Sequence, residues 1–113
     1  MLRPMIRKAF RMSVHRGREV EYERRHNPIW DDLKQALFEH GVRDYSIFLD
    51  PATGDLFGYA VIESEERWSA IASTGVCRRW WDSMKELMPS NADASPVSVD
   101  LREVFHIENG SAS

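Results

Sequence analysis

Residues Leu56 to Glu63 constrain the fold most. Leu56, Gly58, Ala60 and Ile62 fall on one side of an extended segment, and Phe57, Tyr59 and Val61 fall on the other. Successive strand residues point to opposite faces, so this segment is apolar on both. A strand of that kind belongs at the centre of a sheet with both faces covered.

The segments around it supply the rest of the sheet. Ile6 to Val14 alternates, with Ile6, Lys8, Phe10, Met12 and Val14 on one side and Arg7, Ala9, Arg11 and Ser13 on the other. Period two predicts a half-buried strand. Gly17 marks a turn, and Glu19 to His40 reads as helix ending at Gly41, a favourable C-terminal stop. Asp44 to Leu49 is a second strand. Asp50-Pro51-Ala52-Thr53-Gly54-Asp55 is a turn by its residue types. Ser64 is placed to cap a helix opening with Glu65 and Glu66, which suit the positive end of the dipole. Ser73-Thr74-Gly75 interrupts that helix, and Val76 to Met88 resumes it until Pro89. A polar connection follows, and Leu101 to Ile107 reads as a fourth strand.

The order βαββαβ is that of the ferredoxin-like α+β fold. Two helical layers cover one face of such a sheet, and the central strand asks for a cover on the other. An identical sheet from a second copy is the simplest one, so a two-fold homodimer is expected. A pocket between helices and sheet, or in the mouth of the sheet, is the expected ligand site. The 113 residues suit a single domain over 1–113, with a core at about 5–107 and flexible tails at 1–4 and 108–113. A folded chain of this size buries roughly two-thirds of its surface.

Several classes drop out. One cysteine, Cys77, excludes an internal disulfide and a cysteine-based zinc site, and it fits a reducing, cytoplasmic compartment. No apolar run approaches the roughly 20 residues that span a bilayer, so no membrane partner is expected. The net charge of −3 does not favour nucleic-acid binding. The charge is uneven: residues 1–30 carry eight Lys/Arg against three Asp/Glu, and the remainder carries seven against fifteen. Complementary halves attract, within a chain or between chains.

The first helix has a break at His26-Asn27-Pro28. Proline inside a helix removes a hydrogen bond and pushes the preceding residue toward extended geometry. Asn27 would cap a second helical segment with Pro28 at its first position. A kink there re-aims neighbouring side chains. Tyr22 and His26, four apart, share a helix face. A phenol beside an imidazole can donate and accept hydrogen bonds at neutral pH, and imidazole is the natural proton shuttle there; an ordinary surface contact is the alternative. Trp80 and Trp81 point about 100° apart on one helix, so one reaches the core while the other edges a cavity. Tyr45 opens the second strand, either pointing into a pocket or lying at a strand edge. His15, His26, His40 and His106 lack helical metal-ligand spacing, and no phosphate loop or nucleophile elbow is present, so no metal site is expected.

The combination resembles the L-rhamnose mutarotase family. The carrying segments include Met5-Ile6-Arg7-Lys8-Ala9-Phe10, Glu21-Tyr22, Arg24-Arg25-His26-Asn27-Pro28-Ile29-Trp30 and Tyr45-Ser46-Ile47-Phe48-Leu49-Asp50. Further along they include Glu63-Ser64-Glu65-Glu66-Arg67-Trp68, Arg79-Trp80-Trp81, Ser95-Pro96-Val97-Ser98 and Glu103-Val104-Phe105. The likeness runs from Met5 to about Phe105. It implies a dimeric ferredoxin-like α/β barrel of the bacterial cytoplasm, an isomerase without cofactor that interconverts the α and β anomers of L-rhamnose. Carried over by position, the family's proton donor falls on His26, and its sugar-contacting residues fall on Tyr22, Tyr45, Trp80 and Trp81. Ring opening and closure move protons only, which matches the lack of metal, nucleotide or nucleophile motifs. A cofactor-free monooxygenase-like enzyme of the same fold, or a non-catalytic sugar-binding module, are the rival readings.

Overall fold

The computed structural model describes residues 4–110. The elements run β1 (Ile6–Ser13), α1 (Glu19–His26), α2 (Asp31–Glu39), β2 (Val42–Leu49), β3 (Asp55–Ile62) and α3 (Glu65–Ala70). A 3-10 turn over Ile71–Ser73, α4 (Gly75–Met84) and β4 (Val99–Leu101) complete the chain. The sheet order is β2-β3-β1-β4, and each neighbouring pair is antiparallel. This is the ferredoxin-like arrangement expected from the element order, with β3 and β1 in the middle. The expected tails at 1–4 and 108–113 lie largely outside the described residues.

Register assigns the faces. Met12 pairs with Leu56, Phe10 with Gly58, Lys8 with Ala60 and Ile6 with Ile62, so these residues share the helix side. Across β3, Tyr45 pairs with Ala60 and Ile47 with Gly58. Leu56, Ala60 and Ile62 are essentially sealed from water, under helices that contribute Tyr22, Leu33, Trp80 and Met84. Gly58 is required by this packing: a Cβ there would lie 2.4 Å from Phe10 Cζ. The Phe10 ring therefore rests on the bare backbone of β3, a close approach that only glycine permits.

Both faces of β3 were expected to be covered; within one chain only the helix side is. Phe57 and Tyr59 stay exposed on the other side, joined by Phe48 of β2 and Val99 and Leu101 of β4. Two helical layers have no residues left to reach them.

Three boundaries differ from expectation by more than two residues. The last strand is Val99–Leu101, not Leu101–Ile107. It pairs with Ala9, Phe10 and Arg11, and beyond Leu101 the chain leaves the sheet. Residues 102–107 carry the strand-favouring Val104, Phe105 and Ile107, but among the described residues no strand pairs with them. Arg7 holds Glu103 at 2.8 Å, and then Val104, Phe105 and Ile107 stand 82%, 76% and 78% exposed. The radius of gyration is 15.0 Å, against about 13 Å for a compact chain of this length, as a projecting arm requires.

Second, α2 begins at Asp31, after Trp30, rather than at Pro28. The Asn27–Pro28 peptide bond is cis. The Asn27 side chain donates back to the Glu23 carbonyl at 2.9 Å, so it closes α1 instead of opening α2. Third, α4 ends at Met84, not Met88, and Leu87 bonds back to the Met84 carbonyl in a following turn. The caps at Ser64 and Thr74 form as side-chain oxygens accepting from Arg67 and Cys77 backbone N–H groups. Gly41 takes φ +88°, the left-handed stop for α2. The uneven charge is used within the chain, where Arg7 meets Glu103, Lys8 meets Glu65 and Arg25 meets Glu86.

Candidate active site

A cavity of about 1160 Å³ lies between the sheet and the helices, somewhat above the usual size of small-molecule sites. Tyr22, His26, Tyr45, Trp80 and Trp81 all line it. Three elements bring them there: the last two turns of α1, the middle of β2 and the middle of α4.

His26 ends α1, beside the break. Its Nδ1 lies 2.8 Å from the Tyr22 carbonyl, one turn back. A carbonyl can only accept, so Nδ1 carries the proton. In the neutral ring Nε2 is then the free acceptor. Burial holds the His26 pKa below the ordinary imidazole value, partly offset by the bond to the Tyr22 carbonyl. The ring is therefore neutral at pH 7.

Aromatic rings fix the imidazole from two sides. Tyr22 lies 4.4 Å away at 35°, and Trp80 meets it edge-on at 5.0 Å and 86°. Trp30, just beyond the break, backs Trp80 at 5.1 Å and 85°. Edge-to-face contacts of this kind favour one orientation over sliding. A second cluster lies deeper on the sheet: Tyr45 packs against Phe10 at 6.2 Å and Trp68 at 5.7 Å.

Burial raises the pKa of both tyrosines, so both stay protonated at neutral pH. Among the described residues neither phenol oxygen has a hydrogen-bond partner, and no buried side-chain nitrogen or oxygen lacks one. Both phenols therefore open onto the cavity as available donors. Met12, Leu33, Leu56, Met84 and Met88 supply an apolar wall. Burial pushes the Cys77 thiol up to about 11, so it sits in the wall as a neutral thiol. Among the described residues, no group of three His, Cys, Asp or Glu is placed to hold a metal.

Spacing along the sequence left out Trp30 and Trp68. Trp30 reads as one more apolar helix position, and its role depends on a chain reversal at Pro28 that sequence does not orient. Trp68 sits on α3, whose register over Tyr45 is a tertiary fact. Conversely, His15, His40 and His106 do not line the cavity.

The arrangement offers one neutral imidazole, two phenol donors, indole edges and an apolar wall. That set can move protons on a polyhydroxylated ring and cover its C–H surface. A family model described as L-rhamnose mutarotase matches residues 7–107. The chain is 64% identical over 104 residues to an L-rhamnose mutarotase from Opitutus terrae, covering 92% of this chain and all of that one. It resembles the crystal structure of an L-rhamnose mutarotase from Formosa agariphila with a TM-score of 0.84 at 39% identity, over 91% of this chain and 99% of that one. A putative antibiotic biosynthesis monooxygenase from Nitrosomonas europaea shares the fold alone, with a TM-score of 0.63 at 13% identity over 93% and 95% of the chains. Sequence along nearly the whole chain, fold and cavity thus agree, and the chain belongs to the L-rhamnose mutarotase family.

Proposed function

We propose that this chain exchanges the α and β anomers of L-rhamnose, with His26 as the proton donor to the ring oxygen. The carrying observation is the Nδ1 bond to the Tyr22 carbonyl, which leaves Nε2 of a neutral ring as the reactive atom. Family membership supplies the substrate.

Anomer exchange opens the pyranose to an aldehyde, rotates the C1–C2 bond and recloses it. Opening takes a proton from the anomeric hydroxyl and places one on the ring oxygen. A neutral Nε2 first accepts and then donates. The anomeric hydroxyl and the ring oxygen are bonded to the same carbon, so one imidazole can serve both in turn. Closure on the other face of the carbonyl repeats the transfers in reverse, and the enzyme ends with the protons it started with. Tyr22 and Tyr45 orient hydroxyls or relay the second proton, since both phenols are held protonated. Trp80 and Trp81 cover the sugar's C–H face, and the methionine- and leucine-lined wall takes the C6 methyl.

The working unit is a homodimer in which a second copy covers the open sheet face and the arm after Leu101. Residues 102–107 expose three large apolar side chains, Val104, Phe105 and Ile107, that no other described segment covers. A cytoplasmic enzyme fits the single reduced cysteine. Among the described residues, no helix is long and apolar enough to cross a membrane.

Exchange spectroscopy between the two anomeric proton signals of L-rhamnose tests the reading. His26→Gln should keep the fold by near-UV circular dichroism and lose about 10²–10⁴-fold in exchange, the usual worth of a positioned proton transfer. The neutral ring is the competent resting form, and its pKa is lowered. Wild-type exchange should therefore hold at pH 7 and fall only on acidification below the ordinary imidazole range, as Nε2 becomes occupied. Normal exchange by folded His26→Gln would remove the residue from the mechanism. The same assay with L-fucose and D-glucose sets the substrate range.

A further inference from the structure

We infer that Arg25 is a positioning residue that sets His26 against Trp80. The inference rests on the His26 assignment above.

Helix α1 is weakly held by its own residues. It has eight residues, Tyr22 is its only buried one, and no side chain caps its start. A helix that short does not persist alone, so contacts with other elements hold it. Its last residue is His26, and helix ends fray first. Without a second anchor, the imidazole would sit on the loosest turn of the element.

Arg25 is that anchor. Its Nε donates to Glu21 at 2.6 Å, one turn back on α1. Its Nη1 donates to the Ser83 carbonyl at 2.5 Å, and its Nη2 to Glu86 at 3.0 Å. The guanidinium is half-buried and reaches 58 and 61 residues along the chain. Glu21 is itself held by Arg24 at 2.5 Å, and the two arginines lower its pKa to about 2, so it stays charged.

The far end of the clamp is as pointed as the near end. Ser83 is the penultimate residue of α4, where carbonyls lack helical partners and the dipole is negative. A cation that donates there satisfies one of those carbonyls. The Ser83 hydroxyl in turn donates to the Trp80 carbonyl at 2.7 Å. Arg25 thus ties the turn that carries His26 to the turn that carries Trp80. The 5.0 Å approach between those two rings lies between the tied ends. A planar fork with several donors can hold two helices in one orientation, which a single ammonium cannot.

The test measures maximal exchange and KM separately, by anomeric-proton exchange across a series of L-rhamnose concentrations. Arg25→Met should lower maximal exchange at least tenfold and change KM less than threefold. Arg25→Lys should recover part of the loss, because an ammonium reaches the Ser83 carbonyl but not all three partners. The His26 imidazole NMR signals should move in Arg25→Met, while those of His40, outside the cavity, stay in place. Folded Arg25→Met with wild-type exchange per folded molecule would overturn the inference, even at a lower melting temperature. If Arg25→Met does not fold, Arg25→Lys decides: a three- to tenfold loss supports the clamp, and a wild-type rate refutes it. His26→Gln separates the two readings. Exchange retained there means the site reading fails, whereas a dead His26→Gln beside a normal Arg25→Met means only the clamp does.

Discussion

On the helix side of the sheet, Leu56, Ala60 and Ile62 are 1%, 0% and 0% exposed; one residue along the same strand, Phe57 and Tyr59 keep 38% and 36% of their surface in water. The two sets are equally apolar and differ only in what the chain can lay over them. The sealed side holds the cavity, both aromatic clusters and the imidazole. The open side, with the arm after Leu101, holds no member of the proposed site. The proposed chemistry and the proposed association thus fall on opposite faces, and alternation along one strand separates them.

That separation can be attacked from either side. Gly58→Ala acts on the sealed face, where the new Cβ meets the Phe10 ring. Overpacking there should cost about 1–3 kcal/mol, read as a lower denaturation midpoint with an unchanged slope. A wild-type midpoint would mean that the Phe10 ring is not held against β3. Phe57→Asp puts a charge at the centre of the open face. Sedimentation should then report a monomer, with exchange per folded molecule within threefold of wild type. A monomer that has lost all exchange would show that the two faces are not independent. Tyr59→Phe removes one hydroxyl from the open face and leaves its apolar ring. It should stay dimeric and melt within about 2 °C of wild type, the size of a change below ~0.5 kcal/mol. A larger shift would locate a specific bond in the interface.

What could be read ahead of the structure follows the range of the forces involved. The facing of the first and third strands came from period two, and the cap at Ser64 and the stop at Gly41 are local chemistry; the Thr74 cap was read only as an interruption. The discontinuity beside His26 was legible because proline lacks a donor. Which side of it Asn27 would serve was not, because its side chain can bond backward or forward with similar geometry. The arm was misread as a strand because Val104, Phe105 and Ile107 are strand-favouring residue types, and residue type says nothing about whether a neighbour exists. The proposed site followed the same rule. Tyr22 and His26 are one turn apart and visible as a pair. Trp30 behind Trp80 and Arg25 on Ser83 are long-range contacts that no spacing encodes.

The partner that fixes the His26 tautomer is a main-chain oxygen of Tyr22, not a side chain. Substituting residue 22 therefore takes away the phenol and leaves the imidazole's anchor in place. The orientation of the ring is a property of where the α1 coil stops: unwind that final turn, and the lone pair swings away from the cavity although every side chain is still present.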